Sequence, residues 1–265
     1  MLNEPRVLPS VLFVTSELVG PFKNGGIGTA TTGLVETVAG MGCKTTVFYT
    51  GGIWHETDMQ PWVTAYGRLG IEFAYVSPAG MERFSGPVRD RWVGVPSMVY
   101  EFVRDRHFDI IHFNDTLGEG RDVLAAKRMG LGFADTLLVL ALHGPTRWAF
   151  GINRQPMDRI FHAAFDWAER VSVESADLLW GPSQYLIDAI GREGWALPDQ
   201  VIRQQYVMPT PRLFDPDPAK FAAADMPPPP RFVERIAEIV FFGRLEERKG
   251  LRTFCAAIDR LGAKL

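Results

Sequence analysis

Cysteine is nearly missing from this chain. Only Cys43 and Cys255 occur, too few and too far apart for the disulfide framework of a small secreted domain. An excess of one charge is missing too. Lys and Arg number 28 against 31 Asp and Glu, for a net charge of −3. No broad basic field forms, which argues against nucleic acid as a partner. Long apolar runs are absent: no stretch reaches the roughly 18 residues that a membrane span requires. The N-terminal "MLNEPRVLPS" has no apolar core of signal-peptide length. The expectation is a cytoplasmic protein, with peripheral membrane contact left open. The five histidines show neither an HExxH pattern nor close Cys/His spacing, so no metal site is expected. A G-x-S-x-G nucleophile elbow is also lacking, which removes the signature of serine hydrolysis.

What is present is ordinary globular composition: 46% hydrophobic and 22% charged over 265 residues, enough for one large domain or two small ones. Apolar runs of strand length alternate with helical patterns. The strands expected are 11–17, 44–50, 71–76, 108–115, 136–144 and 177–183, with "QQYVMP" (204–209) closing the series. Helical spacing covers 26–41, where Ile27, Ala30, Leu34, Val35, Val38 and Ala39 share a face. It also covers 88–106, interrupted at Gly94 and Pro96, then 119–130 and 157–176. A further helix opens at the N-cap candidate Ser183. Continuous apolar strands alternating with helices predict an α/β, Rossmann-like parallel sheet with helices on both faces. Ligands of such sheets bind outside the carboxyl ends of the strands. Segments 23–28, 112–118, 143–148 and 181–183 follow such ends, so connectivity directs them toward one edge.

The organisation changes at residues 209–230, which carry 8 of the 19 prolines. The expected division is a domain at 1–208, a Pro-rich linker at 209–235, and the start of a second domain at 236–265. That last part reads as one strand, "EIVFFGRL", a loop and a helix. Its strand is expected to add to a sheet edge or to pair with another molecule, because its apolar face cannot stay wet.

The candidate site residues follow from the loops. In "KNGGIGT", Gly25, Gly26 and Gly28 allow close approach of a ligand, and the helix behind them offers unpaired N–H groups. The dinucleotide fingerprint is incomplete, with Thr31 where a third glycine belongs, and the P-loop lysine is missing. A tight turn without a ligand fits the spacing equally well. "HFND" sets His112 and Asn114 on one face of a strand, Phe113 and Asp115 on the other; these polar residues suit sugar hydroxyls or a helix cap. His143 in "ALHGPTRW" suits ligand binding or proton transfer, or simple satisfaction by backbone carbonyls. Arg147 and Trp148 beside it suit an anion or a sugar ring, or else solvent and core. Arg244, Arg248 and Lys249 in "GRLEERKG" suit a diphosphate or a solvated loop. The irregular stretches 51–70 and 77–90 carry Trp54, His55, Trp62 and Arg83, where aromatics serve either sugar stacking or packing.

Taken in order, "KNGGIGT", "HFND", "LHG", "ERVSVESADLLWGPS" and "GRLEERKG" resemble the group 1, glycogen-synthase-like glycosyltransferases along residues 10–250. The resemblance implies the N-terminal half of a two-domain GT-B fold and the start of its donor-binding half. It implies transfer from a nucleotide-diphosphate sugar to a sugar or glycolipid-type acceptor, with retention, and with neither metal nor cofactor. On it, His143 and Asp115 take catalytic positions. Gly25, Gly26, Gly28, Asn114, Arg147, Arg244 and Lys249 take donor or acceptor positions. The chain departs from the family at "VMPTPRLFDP". The late E-x7-E motif is absent, the spacing of Glu238 and Glu246 being a coincidence, so this chain by itself is expected not to turn over. Two other readings are a non-catalytic sugar- or nucleotide-binding module and a nicotinamide-dependent oxidoreductase. Thr31 and the lack of an acid after the second strand count against the latter.

Overall fold

The computed structural model describes residues 7–54, 56–85, 91–207 and 238–262. Seven strands build one sheet: β1 (Ser10–Thr15), β2 (Lys44–Tyr49), β3 (Ile71–Tyr75), β4 (Ile110–Asn114), β5 (Leu137–Ala141), β6 (Leu178–Gly181) and β7 (Gln200–Arg203). Every pairing is parallel, in the order β3-β2-β1-β4-β5-β6-β7. The helices are α1 (Gly26–Gly40), α2 (Gln60–Gly67), α3 (Pro78–Ser85), α4 (Arg91–Val103), α5 (Arg121–Arg128), α6 (Thr146–Ile152), α7 (Ile160–Ser175), α8 (Gln184–Arg192) and α9 (Leu251–Gly262). This is the α/β Rossmann-like fold expected from the alternation of patterns.

The apolar strands are buried on both faces, as a parallel sheet requires. Leu12, Val14, Phe48, Ile111, Phe113, Leu138 and Leu140 join a core with residues of α4, α5, α7 and α8. Val11, Phe13, Val47, Tyr49 and Phe73 join a second core with Val35 of α1 and Tyr66 of α2. Each fully buried Leu or Phe contributes roughly 1.5–3 kcal/mol relative to exposure. Trp62, half-buried, also packs against this second core. His55 lies outside the described residues.

Several elements differ from the sequence reading. The buried face of α1 is Gly28, Ala30, Thr31, Thr32, Gly33 and Val35, while Ile27, Leu34 and Val38 are only half-buried. Small residues turn inward because the helix start lies close to the loop after β1: a Cβ on Gly28 would meet Asn24 at 2.7 Å and the Leu18 nitrogen at 3.0 Å. Pro96 lies within a continuous α4. It forfeits a bond only to the carbonyl of Trp92, in the first turn of the helix. The last strand is Gln200–Arg203 rather than 204–209; it is exposed throughout, and alternation is not legible in an edge strand that buries little. The short α6 follows His143 directly, where no helix was expected. Residues 238–245 form no strand, since among the described residues no ladder is offered to them; Phe242 is fully exposed.

The loop after β4 holds two consecutive left-handed residues, Leu117 (φ 62°) and Gly118 (φ 63°). A Cβ on Gly118 would meet Ala168 of α7, its backbone carbon at 2.7 Å. Gly118→Ala is therefore expected to destabilise by about 3 kcal/mol, combining backbone strain with overpacking. Gly26→Ala, with open space around it, is expected to stabilise by about 0.5 kcal/mol. Urea unfolding of the two variants checks the contrast.

Candidate functional site

The crossovers from β1 and β4 leave in opposite directions, since β1 leads toward β2 and β4 toward β5. Such a switch point opens a crevice outside the carboxyl ends of the two strands. Three loops meet there: 16–25 after β1, 115–120 after β4 and 142–145 after β5.

The Asn114 side chain joins them. Its Nδ2 donates to Thr15 Oγ1 at 3.1 Å and to Thr31 Oγ1 at 3.3 Å. Its Oδ1 lies 3.0 Å from His143 Nε2. The orientation follows from donor counting. Thr15 spends its one hydroxyl proton on the Glu17 carbonyl, 2.7 Å away, so it can only accept from Asn114. That turns Oδ1 toward His143, and His143 Nε2 carries the proton, leaving the Nδ1 lone pair free of Asn114. The His143 pKa is pushed down to about 3 by burial, with His112 adding to the shift. The imidazole is neutral at neutral pH.

Asp115 is completely buried. Its Oδ2 accepts from the main-chain N–H of His143 (2.9 Å) and of Gly144 (3.0 Å). Glu169 on α7, also completely buried, accepts from the Leu117 N–H at 3.0 Å, the Thr146 N–H at 2.7 Å and the Thr146 hydroxyl at 2.7 Å. Two carboxyls thus hold the loops after β4 and β5 by their backbones. Burial raises Asp115 to about 7, against its main-chain hydrogen bonds. Burial and then the charge of Asp115 raise Glu169 to about 8. Sequence reasoning missed Glu169, although it opens the stretch "ERVSVESADLLWGPS". His112, by contrast, belongs to the interior: its ring lies 5.2 Å from Phe13 and 5.8 Å from Trp180, both ring nitrogens lack a partner, and burial lowers it to about 4.

The loop after β1 is held from inside. Val19 donates to Thr32 Oγ1 at 2.9 Å and accepts from the buried Tyr66 hydroxyl at 2.7 Å. No side chain caps α1, so first-turn N–H groups face the crevice end of the helix. The Gly25 N–H donates to Glu17 Oε2 at 2.9 Å. A Cβ on Gly25 would lie 2.6 Å from an Arg244 guanidinium nitrogen; the glycine makes room for that close approach, and Arg244 lies against the glycine loop. Gly26 stands at the first turn with nothing within 4 Å of a would-be Cβ. Lys249 is exposed in a short turn. Its neighbour Arg248 makes the contacts instead, its N–H to Asn153 Oδ1 at 3.2 Å and its Nε to Glu246 Oε2 at 2.6 Å. Arg147 is not a free cation. It makes a two-pronged pair with Asp166 and lies 3.9 Å from Glu193, tying α6 to α7 and to the end of α8. Among the described residues no cluster of three or more His, Cys, Asp or Glu could hold a metal ion, and no helix is long and apolar enough to cross a membrane.

The sequence model of Glycosyltransferase Family 4 matches residues 24–202, a span that holds the glycine loop, Asn114, Asp115, His143 and Glu169. Solved structures with a similar shape include sucrose-phosphate synthase from Thermosynechococcus elongatus, 14% identical, covering 74% of this chain and 47% of that one, with a TM-score of 0.49. UGT89C1 of Arabidopsis thaliana, complexed with UDP-L-rhamnose, is 13% identical, covering 77% and 50%, with a TM-score of 0.45. The chain spans about half the length of these structures. No curated protein sequence matches it.

The buried groups make stability depend on pH. Folded Asp115 and Glu169 keep their protons above the ordinary carboxyl values of 3.8 and 4.5, so their stabilising effect is complete at low pH and is lost as pH rises toward 7 and 8. Folded His112 and His143 lose theirs below the ordinary 6.5, so they oppose that trend up to pH 6.5 and contribute no slope above it. Stability is therefore expected to fall between pH 6.5 and about 8. Asp115→Asn should flatten the fall, because it removes one titrating group and the charge that raises the other. Urea midpoints measured across this range decide it.

Proposed function

The chain belongs to Glycosyltransferase Family 4, and from that premise we propose that it forms the acceptor-side half of a retaining glycosyltransferase that uses a nucleotide-diphosphate sugar. The observation that carries this reading is the Asn114 bridge. It joins the helix behind the glycine loop to His143 across the switch point, so that a phosphate-binding helix end and a sugar-recognising imidazole share one crevice.

The roles follow from the chemistry. Negative charge develops on the diphosphate as the sugar leaves, and prepositioned donors help most there. In our reading these donors are the N–H groups at Gly26 to Gly28, with Arg244 and Lys249 as charged partners. His143, with a pKa near 3, is far too weak a base at pH 7 to carry a proton in the reaction. It serves as a neutral hydrogen-bonding group, its Nδ1 accepting from a hydroxyl of the transferred sugar. Asp115 and Glu169 position the loops from below without touching the substrate. Arg147, committed to Asp166, is a structural clamp in this scheme. The acceptor is a sugar or a glycolipid-type molecule. The donor-binding wall includes residues 238–262 at its start.

Saturation-transfer NMR of the 265-residue chain with UDP-, ADP- and GDP-hexoses tests the assignment. One donor is expected to bind, and Arg244→Ala to weaken it about tenfold, the effect of losing a charge-assisted hydrogen bond of about 1.4 kcal/mol. Transfer by this chain alone is expected to stay at background. Binding of NAD with none of the three donors would overturn the proposal.

A further inference from the structure

We propose that Tyr206 is a positioning residue for His143, which clamps the imidazole together with Asn114 and ties it to the chain leaving β7. The two rings are stacked, with centroids 4.5 Å apart and planes 17° from parallel. The Tyr206 hydroxyl donates to the carbonyl of Leu142, the residue before His143. One side chain therefore holds both the ring and the main chain of the same loop. Burial raises the phenol pKa, and the charge of Asp115 acts in the same direction, so the phenol stays a donor.

Tyr206 is itself anchored. The Gln204 N–H donates to the Gly181 carbonyl at 3.0 Å. Trp180 Nε1 donates to the Gln204 carbonyl at 2.5 Å, and the Trp180 and Tyr206 rings lie 6.0 Å apart. Residues 204–206 thus turn back over the carboxyl ends of β5 and β6 instead of extending β7. A lone bond from Nε2 to Asn114 would let the imidazole rock about that axis. An aromatic face laid on the ring removes that freedom, leaving Nδ1 as the edge that neither partner uses. The groups facing the ring are Asn114 from β4, the Tyr206 phenol and nearby His112; Asp115 binds its main-chain N–H.

The assignment deepens the sugar-recognition role of His143 and rests on that reading for its functional consequence, but its geometry can be tested without it. In the full chain labelled with 15N-histidine, long-range ring-nitrogen correlations report the tautomer and titration of His143. The wild type is expected to show the Nε2–H tautomer and a midpoint well below the ordinary 6.5. Tyr206→Phe, which keeps the stack, should preserve both. Tyr206→Leu and Tyr206→Ala should give mixed tautomers and raise the midpoint by more than about one unit, tenfold in the proton equilibrium. The His162 ring, set between Phe150 and Phe161, serves as the control for an intact fold. If Tyr206→Ala fails that control, Tyr206→Leu decides. An unchanged His143 tautomer and midpoint in a folded variant lacking the stack would overturn the proposal, whether or not any donor binds.

Discussion

The Asn114 amide is the point on which the site depends. It is nearly inaccessible to solvent, and its hydrogens and oxygen all find partners, on β1, on α1 and in the loop after β5. A buried amide without partners costs on the order of 1–3 kcal/mol. These three elements must therefore stay in one mutual register, or that cost returns. His143, in the loop after β5, obtains its tautomer from the same interaction. Fold and chemistry are coupled here through a single side chain.

Below that amide, carboxyls do the work that regular secondary structure does elsewhere. The loop after β4 runs through left-handed residues; its Gly118 N–H bonds within the loop, to the Asp115 carbonyl, but its Leu117 N–H turns outward to Glu169. Glu169 reaches across from α7 to take Leu117 and Thr146; Asp115 takes His143 and Gly144. Burial is the main reason both hold their protons unusually well, and the charge of Asp115 adds to the effect at Glu169. The crevice thereby has a rigid floor, while the Arg244 side chain beside the glycine loop is largely exposed.

Much of this was readable in order along the chain. "SVLFVTSE", "FDIIHFND" and "TLLVLALHG" announced buried parallel strands by their unbroken apolar character, and glycines announced the loop before α1. Ser183 was legible as an N-cap, and its hydroxyl does accept from the Leu186 N–H. Thr31, which spoiled a familiar fingerprint, proved to be an acceptor for Asn114. β7 was misplaced because an edge strand exposed on both faces leaves no pattern. Arg147 looked available because its partner Asp166 lies on another helix, where spacing gives no hint of it. Tyr206 was counted as part of a strand.

The sequence by itself determined the kind of fold and the strand ends from which a site could be built, because hydrophobic periodicity and turn residues act over a few neighbours. Which polar groups face one another was decided only by the tertiary structure. Asn114 meets Thr31 and His143, and Glu169 meets Leu117, across long stretches of chain. Hydrogen bonds depend on direction and on ångström-scale distance, and these are set only once the sheet order and the helix positions have brought distant residues to the same edge.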